Sequence, residues 1–109
     1  MISVSLRRNT NGDVYGYSVI GHADASVVCP SVSLFAINTA NAIKTLTDEP
    51  LNYGRNPDGG FLQIELPRMK SGHRNNEANL LLESMVLGLQ LIKEKYSDEI
   101  EIVDIRDAE

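Results

Sequence analysis

The chain of 109 residues is short of several things, and each shortage excludes a class of function. It has a single cysteine, Cys29, so no disulfide can form within the chain, and a zinc site built on several thiolates is ruled out. No apolar run approaches the roughly 18–20 residues that span a bilayer. The opening segment turns charged within a few positions and has neither the apolar region nor the cleavage site of a signal peptide. A cytoplasmic protein with no membrane contact is expected. Basic residues are outnumbered, 10 Lys and Arg against 15 Asp and Glu, a formal charge of -5. That balance disfavours direct nucleic-acid binding, which rests on cations neutralising phosphates, and suits a basic protein partner better. No Walker sequence occurs, and Gly12-Asp13-Val14-Tyr15-Gly16 is not a dinucleotide fingerprint. Low-complexity segments, internal repeats and linkers are also lacking.

What is present is ordinary for one globular domain over residues 1–109: 42% hydrophobic and 23% charged residues. Ile2 to Leu6 alternates apolar and polar residues, the signature of a half-buried strand. After the turn-forming run Asn9 to Asp13, the segment from Val14 to Ile20 reads as a second strand, paired with the first as an antiparallel hairpin. Val32, Phe35, Ala36, Ala40, Ile43 and Leu46 recur at three- and four-residue spacing and predict a helix with one apolar face. Pro30 suits its first position, which makes Cys29 the N-cap. Thr47 to Asp58 reads as loop. Gly59-Gly60 leads into a strand from Phe61 to Leu66, stopped by Pro67. A polar loop follows from Met69 to Asn76, with Asn76 as cap of a second helix. The stripe of that helix is Ala78, Leu81, Leu82, Met85, Leu89, Ile92 and Tyr96. Glu99 to Ile105 alternates and predicts a last strand. The order β-β-α-β-α-β implies an α+β fold: a two-layer sandwich whose sheet is covered on one face by two helices. Leftover apolar surface would favour a homodimer.

His22 and Cys29 form the pair that carries chemistry. One lies just past the second strand, the other at the start of the first helix. A helix N-terminus offers partial positive charge and unpaired N–H groups, which favour thiolate over thiol and bind an oxyanion. An imidazole nearby supplies a proton acceptor. Plainer readings stand beside this one. Cys29 can be a small buried hydrophobe, and His22 a turn residue that bonds to backbone. Metal binding by His22, Asp24, Cys29 and His73 is a third reading, weakened by the absence of close ligand spacing. Arg68, Lys70, His73 and Arg74 form a small basic cluster that reads as a solvated face.

Gly21-His22-Ala23, a short loop, and then Val28-Cys29-Pro30-Ser31-Val32-Ser33 resemble the motif of the bacterial ribosomal-processing cysteine proteases, the Prp family. The opening hairpin, the run Asn38-Thr39-Ala40-Asn41, the Gly-Phe-Leu-Gln-Ile strand, the leucine-rich helix and the acidic last strand follow the family's order. The resemblance implies a cysteine endopeptidase without cofactor or metal, a homodimer in the cytoplasm. It removes the N-terminal extension of large-subunit ribosomal protein twenty-seven. By position, Cys29 is the nucleophile, His22 the general base and Ser33 the helix serine, four residues on and so on the same helix face. Two positions depart from the family pattern. Ser26 stands where many members have an aspartate three residues before the cysteine, which leaves Asp24 as the nearest acid to orient His22. Pro30 stands where a small residue is usual. The alternative from another class is a noncatalytic, ribosome-associated protein-binding module of the same fold.

Overall fold

The structure, a computed structural model, describes residues 1–55 and 61–108. Its strands are β1 (Ile2–Arg8), β2 (Val14–Gly21), β3 (Asn52–Arg55), β4 (Phe61–Glu65) and β5 (Ile100–Arg106). Its helices are α1 (Val28–Leu46), α2 (Pro67–Lys70) and α3 (Asn76–Lys95). The strands form one sheet in the order β3-β4-β2-β1-β5. All neighbours are antiparallel except β1 and β5, which run parallel.

Period-two alternation decides which face is covered. Ile2, Val4 and Leu6 are buried, while Ser3 and Ser5 between them are only half-buried. Register carries the same face across the sheet, with Leu6 opposite Tyr17 and Tyr17 opposite Ile64. Val28, Val32, Ala36, Ala40 and Ile43 of α1 join this face in one core with Ala78, Leu82, Met85 and Leu89 of α3. The buried Tyr17 hydroxyl donates to the Ala36 carbonyl at 2.7 Å and ties sheet to helix. The other face carries Ser18, Gln63 and Glu101, and it leaves Val103 and Ile105 exposed. The fold is therefore the expected α+β sandwich.

Four details differ from the sequence reading. β3 lies inside the stretch from Thr47 to Asp58 that reads as loop; residues 56–60, with Gly59-Gly60, lie outside the described residues. Asn52-Tyr53-Gly54-Arg55 has no alternating pattern, and its strand geometry comes from pairing with β4. The single turn α2 occupies the start of the expected polar loop, because Pro67 stops the strand and suits a first helical position. The cap of α3 is Asn75 rather than Asn76; its side chain accepts from the Ala78 N–H at 3.0 Å. Phe35 and Leu46, read as part of the apolar face of α1, are exposed. Phe35 lies across the helix pair onto Gly88 of α3, where any Cβ would collide with its ring.

Candidate active site

The strand pattern collects the chemistry at one end of the sheet. β2 ends at Gly21, opposite Ile2, and β5 begins at Ile100, opposite the same residue. Gly21 has a φ of +100°, in the left-handed region, and a Cβ there would collide with the Met1 carbonyl oxygen. Glycine is thus required at the position before His22, where the chain leaves the sheet.

The loop from His22 to Val27 then folds back over the start of α1. The Ala23 N–H donates to Cys29 Sγ at 3.3 Å, and the Ala23 carbonyl lies 3.9 Å from the same sulfur. The Ala25 N–H donates to Glu99 Oε1 at 2.7 Å, and the Ala25 carbonyl accepts from the Val28 N–H at 3.2 Å. Ala23, Ala25 and Cys29 pack partly buried against the core. Glu99 is a member of this site that sequence reasoning misses. It lies 74 residues along the chain, and an acid ahead of a strand gives no local signal of its partner.

The helix begins two residues earlier than Pro30 suggests. Val27 is the N-cap and makes no side-chain capping bond, so Cys29 is the second helical residue and not the cap. Proline is tolerated anywhere in the first turn, because the N–H it lacks has no helical partner there. The completely buried Val28 fixes the start instead. This shift narrows the choice of oxyanion donors. The Val28 N–H is used by Ala25, Pro30 has none, and the Ser31 N–H bonds to Val27. The Cys29 N–H is left without a partner among the described residues.

The other expected site residues are placed but not joined. His22, Asp24, Ser26 and Ser33 are exposed, and the His22 ring forms no hydrogen bond with Cys29 or Asp24. His73 follows α2 and lies at the opposite end of the sheet, so it cannot share a metal ion with His22. No cluster of three or more metal-ligating side chains occurs among the described residues. The basic cluster also sits at that far end, where Arg68, Lys70 and Arg74 pair with Glu49, Glu65 and Asp13.

The chain is similar to known proteins over nearly its whole length. The family described as cysteine protease Prp matches residues 1–101. The chain belongs to this family. The ribosomal processing cysteine protease Prp of Staphylococcus aureus is 32% identical over 107 residues, covering 94% of this chain and 97% of that protein. The Prp of Bacillus subtilis is 28% identical over 109 residues, covering 94% and 96%. The crystal structure of S. aureus Prp with a covalently linked product peptide superposes with a TM-score of 0.85 at 32% identity, covering 95% of this chain and 99% of that one. A second crystal structure of S. aureus Prp, with a substrate peptide, gives a TM-score of 0.83. As a Prp family member the chain is a cysteine protease, so the noncatalytic alternative falls. No helix among the described residues is long and apolar enough to cross a membrane.

Proposed function

We propose that this Prp member is an endopeptidase that removes the N-terminal extension of a ribosomal protein, with Cys29 as nucleophile and His22 as general base. The contact from the Ala23 N–H to Cys29 Sγ carries the reading, because it puts the backbone next to His22 directly against the sulfur. The exposed imidazole forms no hydrogen bond among the described residues, so no structural partner holds it away from the thiol. Catalytic hydrogen bonds are commonly long in the free enzyme and tighten on substrate.

In the reaction, Cys29 Sγ attacks the scissile carbonyl carbon, and His22 takes the thiol proton and passes it to the leaving amine. The free Cys29 N–H, at the positive end of α1, donates to the oxyanion. Water then attacks the acyl-enzyme, and the thiol is restored. Once substrate is bound, Asp24, the nearest acid along the chain, orients His22, with Ser26 beside it in the loop, and Ser33 supports the site from the next turn of α1. No step calls for a metal or cofactor.

The preferred substrate is the extended precursor of large-subunit ribosomal protein twenty-seven. A basic ribosomal tail suits an enzyme with a formal charge of -5. The working form is a homodimer, for which Leu34, Leu80, Leu87 and Leu91, exposed on α1 and α3, offer apolar surface. Mass spectrometry of the protein mixed with its own organism's precursor tests the substrate and the site together. One N-terminal cut that disappears in Cys29→Ala and His22→Ala is expected. Cleavage by Cys29→Ala at the parent rate would refute the mechanism, and an extended precursor left intact would refute the substrate.

A further inference from the structure

The main chain of Ala23 meets Cys29 Sγ twice. Its N–H donates to the sulfur at 3.3 Å, and its carbonyl lies 3.9 Å away. The two groups suit two forms of the side chain. A thiol has a weak S–H donor for the carbonyl, whereas a thiolate is a charged acceptor for the N–H. The segment that carries Ala23 lies beyond the end of β2 and is held on both sides. Gly21 turns the chain out of the sheet. Ala25 is fixed through its N–H by Glu99 and through its carbonyl by the Val28 N–H. Ala23 and Cys29 are both half-buried, which limits competition from water for the contact.

The sulfur does not keep that bond through the reaction. As Sγ bonds to the scissile carbon, its proton passes to His22 and the π pair of the carbonyl moves onto oxygen. Negative charge thus leaves the sulfur for an oxygen on the carbon that Sγ has joined. The start of α1 supplies only one free donor for it. The Val28 and Ser31 N–H groups are bonded and Pro30 has none, which leaves the Cys29 N–H. The N–H already aimed at Sγ from outside the helix is that of Ala23.

We infer that Ala23 is a catalytic residue through its backbone N–H, which passes from Cys29 Sγ in the resting enzyme to the oxyanion of the tetrahedral intermediate, as second donor beside the Cys29 N–H. The inference deepens the proposed peptide-cleaving role and rests on Cys29 as its nucleophile. When the C–N bond breaks, the pair on oxygen restores the carbonyl and His22 gives its proton to the leaving amine. The Ala23 N–H then stays on the acyl oxygen for the attack by water. A role carried by the main chain leaves no side-chain signal in the sequence.

The full chain can be assembled by ligation at Cys29, with L-lactic acid in place of Ala23 in residues 1–28. This exchanges the N–H for an ester oxygen and keeps the side chain. Two reagents then read the same sulfur. p-Nitrophenyl acetate acetylates Cys29 through a tetrahedral oxyanion, and iodoacetamide alkylates it without one. Acetylation slowed about tenfold or more beyond any slowing of alkylation is expected. The same exchange at Val27, whose N–H has no partner among the described residues, should leave the ratio at the parent value. A nitrophenol burst that persists in Cys29→Ala would overturn the nucleophile, and the inference with it. With Cys29 established as the nucleophile, equal slowing of the two reactions, or of neither, would overturn the inference alone. Should the lactate chain not fold, the parent protein gives a second reading as its hemithioacetal with N-acetylglycinal, whose oxygen takes the oxyanion position. The amide protons of Ala23 and Cys29 should move downfield of their positions in the iodoacetamide adduct, and an unmoved Ala23 proton would overturn the inference.

Discussion

The backbone N–H of Ala23 points at Cys29 Sγ from 3.3 Å, six residues up the chain. That contact exists because both ends of the intervening loop are anchored. Gly21 lets the chain turn out of β2, and Val28 holds the first turn of α1 in the core. Between them, Glu99 holds the middle of the loop through the Ala25 N–H.

Replacing Glu99 should therefore loosen the loop more than the fold. Glu99→Ala is expected to speed hydrogen exchange at Ala25 and to lower peptide cleavage about tenfold, while global stability falls by about 1–2 kcal/mol. Glu99→Gln keeps an acceptor oxygen and should recover most of both. Exchange at Ala25 that ignores Glu99→Ala would mean the loop is held by something else.

Gly21 should be intolerant of any side chain. Gly21→Ala combines a φ that alanine disfavours with a collision at the Met1 carbonyl oxygen. A loss of about 1–3 kcal/mol is expected from urea unfolding, together with slower cleavage because His22 moves with the strand end. An unchanged urea midpoint would show that β1 yields without cost.

Alkaline pH should unfold the protein through its tyrosines. Burial raises the pKa of Tyr17 well above that of a free phenol. Tyr15 is shifted the same way, by burial first and then by its hydrogen bond to Asp107. The native state thus holds these protons more tightly than the unfolded chain does. The stability they contribute is complete below about pH 10, the unfolded value, and declines as the pH climbs from there toward the native values. Urea midpoints measured across that range should fall, and the fall should be smaller in Tyr17→Phe. Identical profiles for parent and variant would assign the alkaline loss to other groups.

Much of this protein is legible along the chain. Ile2, Val4 and Leu6 alternate with serines, and that alone says which side chains face the helices, because successive strand residues point to opposite faces. The spacing of Val32, Ala36, Ala40 and Ile43 likewise fixes the buried side of α1. Phe35 breaks that rule. Its spacing matches the buried stripe, yet it lies on the flank and packs over Gly88, a partner from another helix. β3 is illegible for a similar reason, since an edge strand of four residues owes its geometry to its neighbour.

The sequence by itself determined the alternation, the two amphipathic helices and the Gly-His-Ala and Cys-Pro-Ser segments at the two ends of a short loop. These are local matters, set by backbone period, by the lack of a Cβ in glycine and by the fixed φ of proline. Only the tertiary structure decided where α1 starts, because burial of Val28 in a shared core outweighs the preference of Pro30 for the first position. It alone brought Glu99 to the loop and closed Glu49 beneath Arg68 and Asn75. Such contacts join residues far apart in the chain, and their free energy comes from desolvation and hydrogen bonding that exist only after the layers have packed.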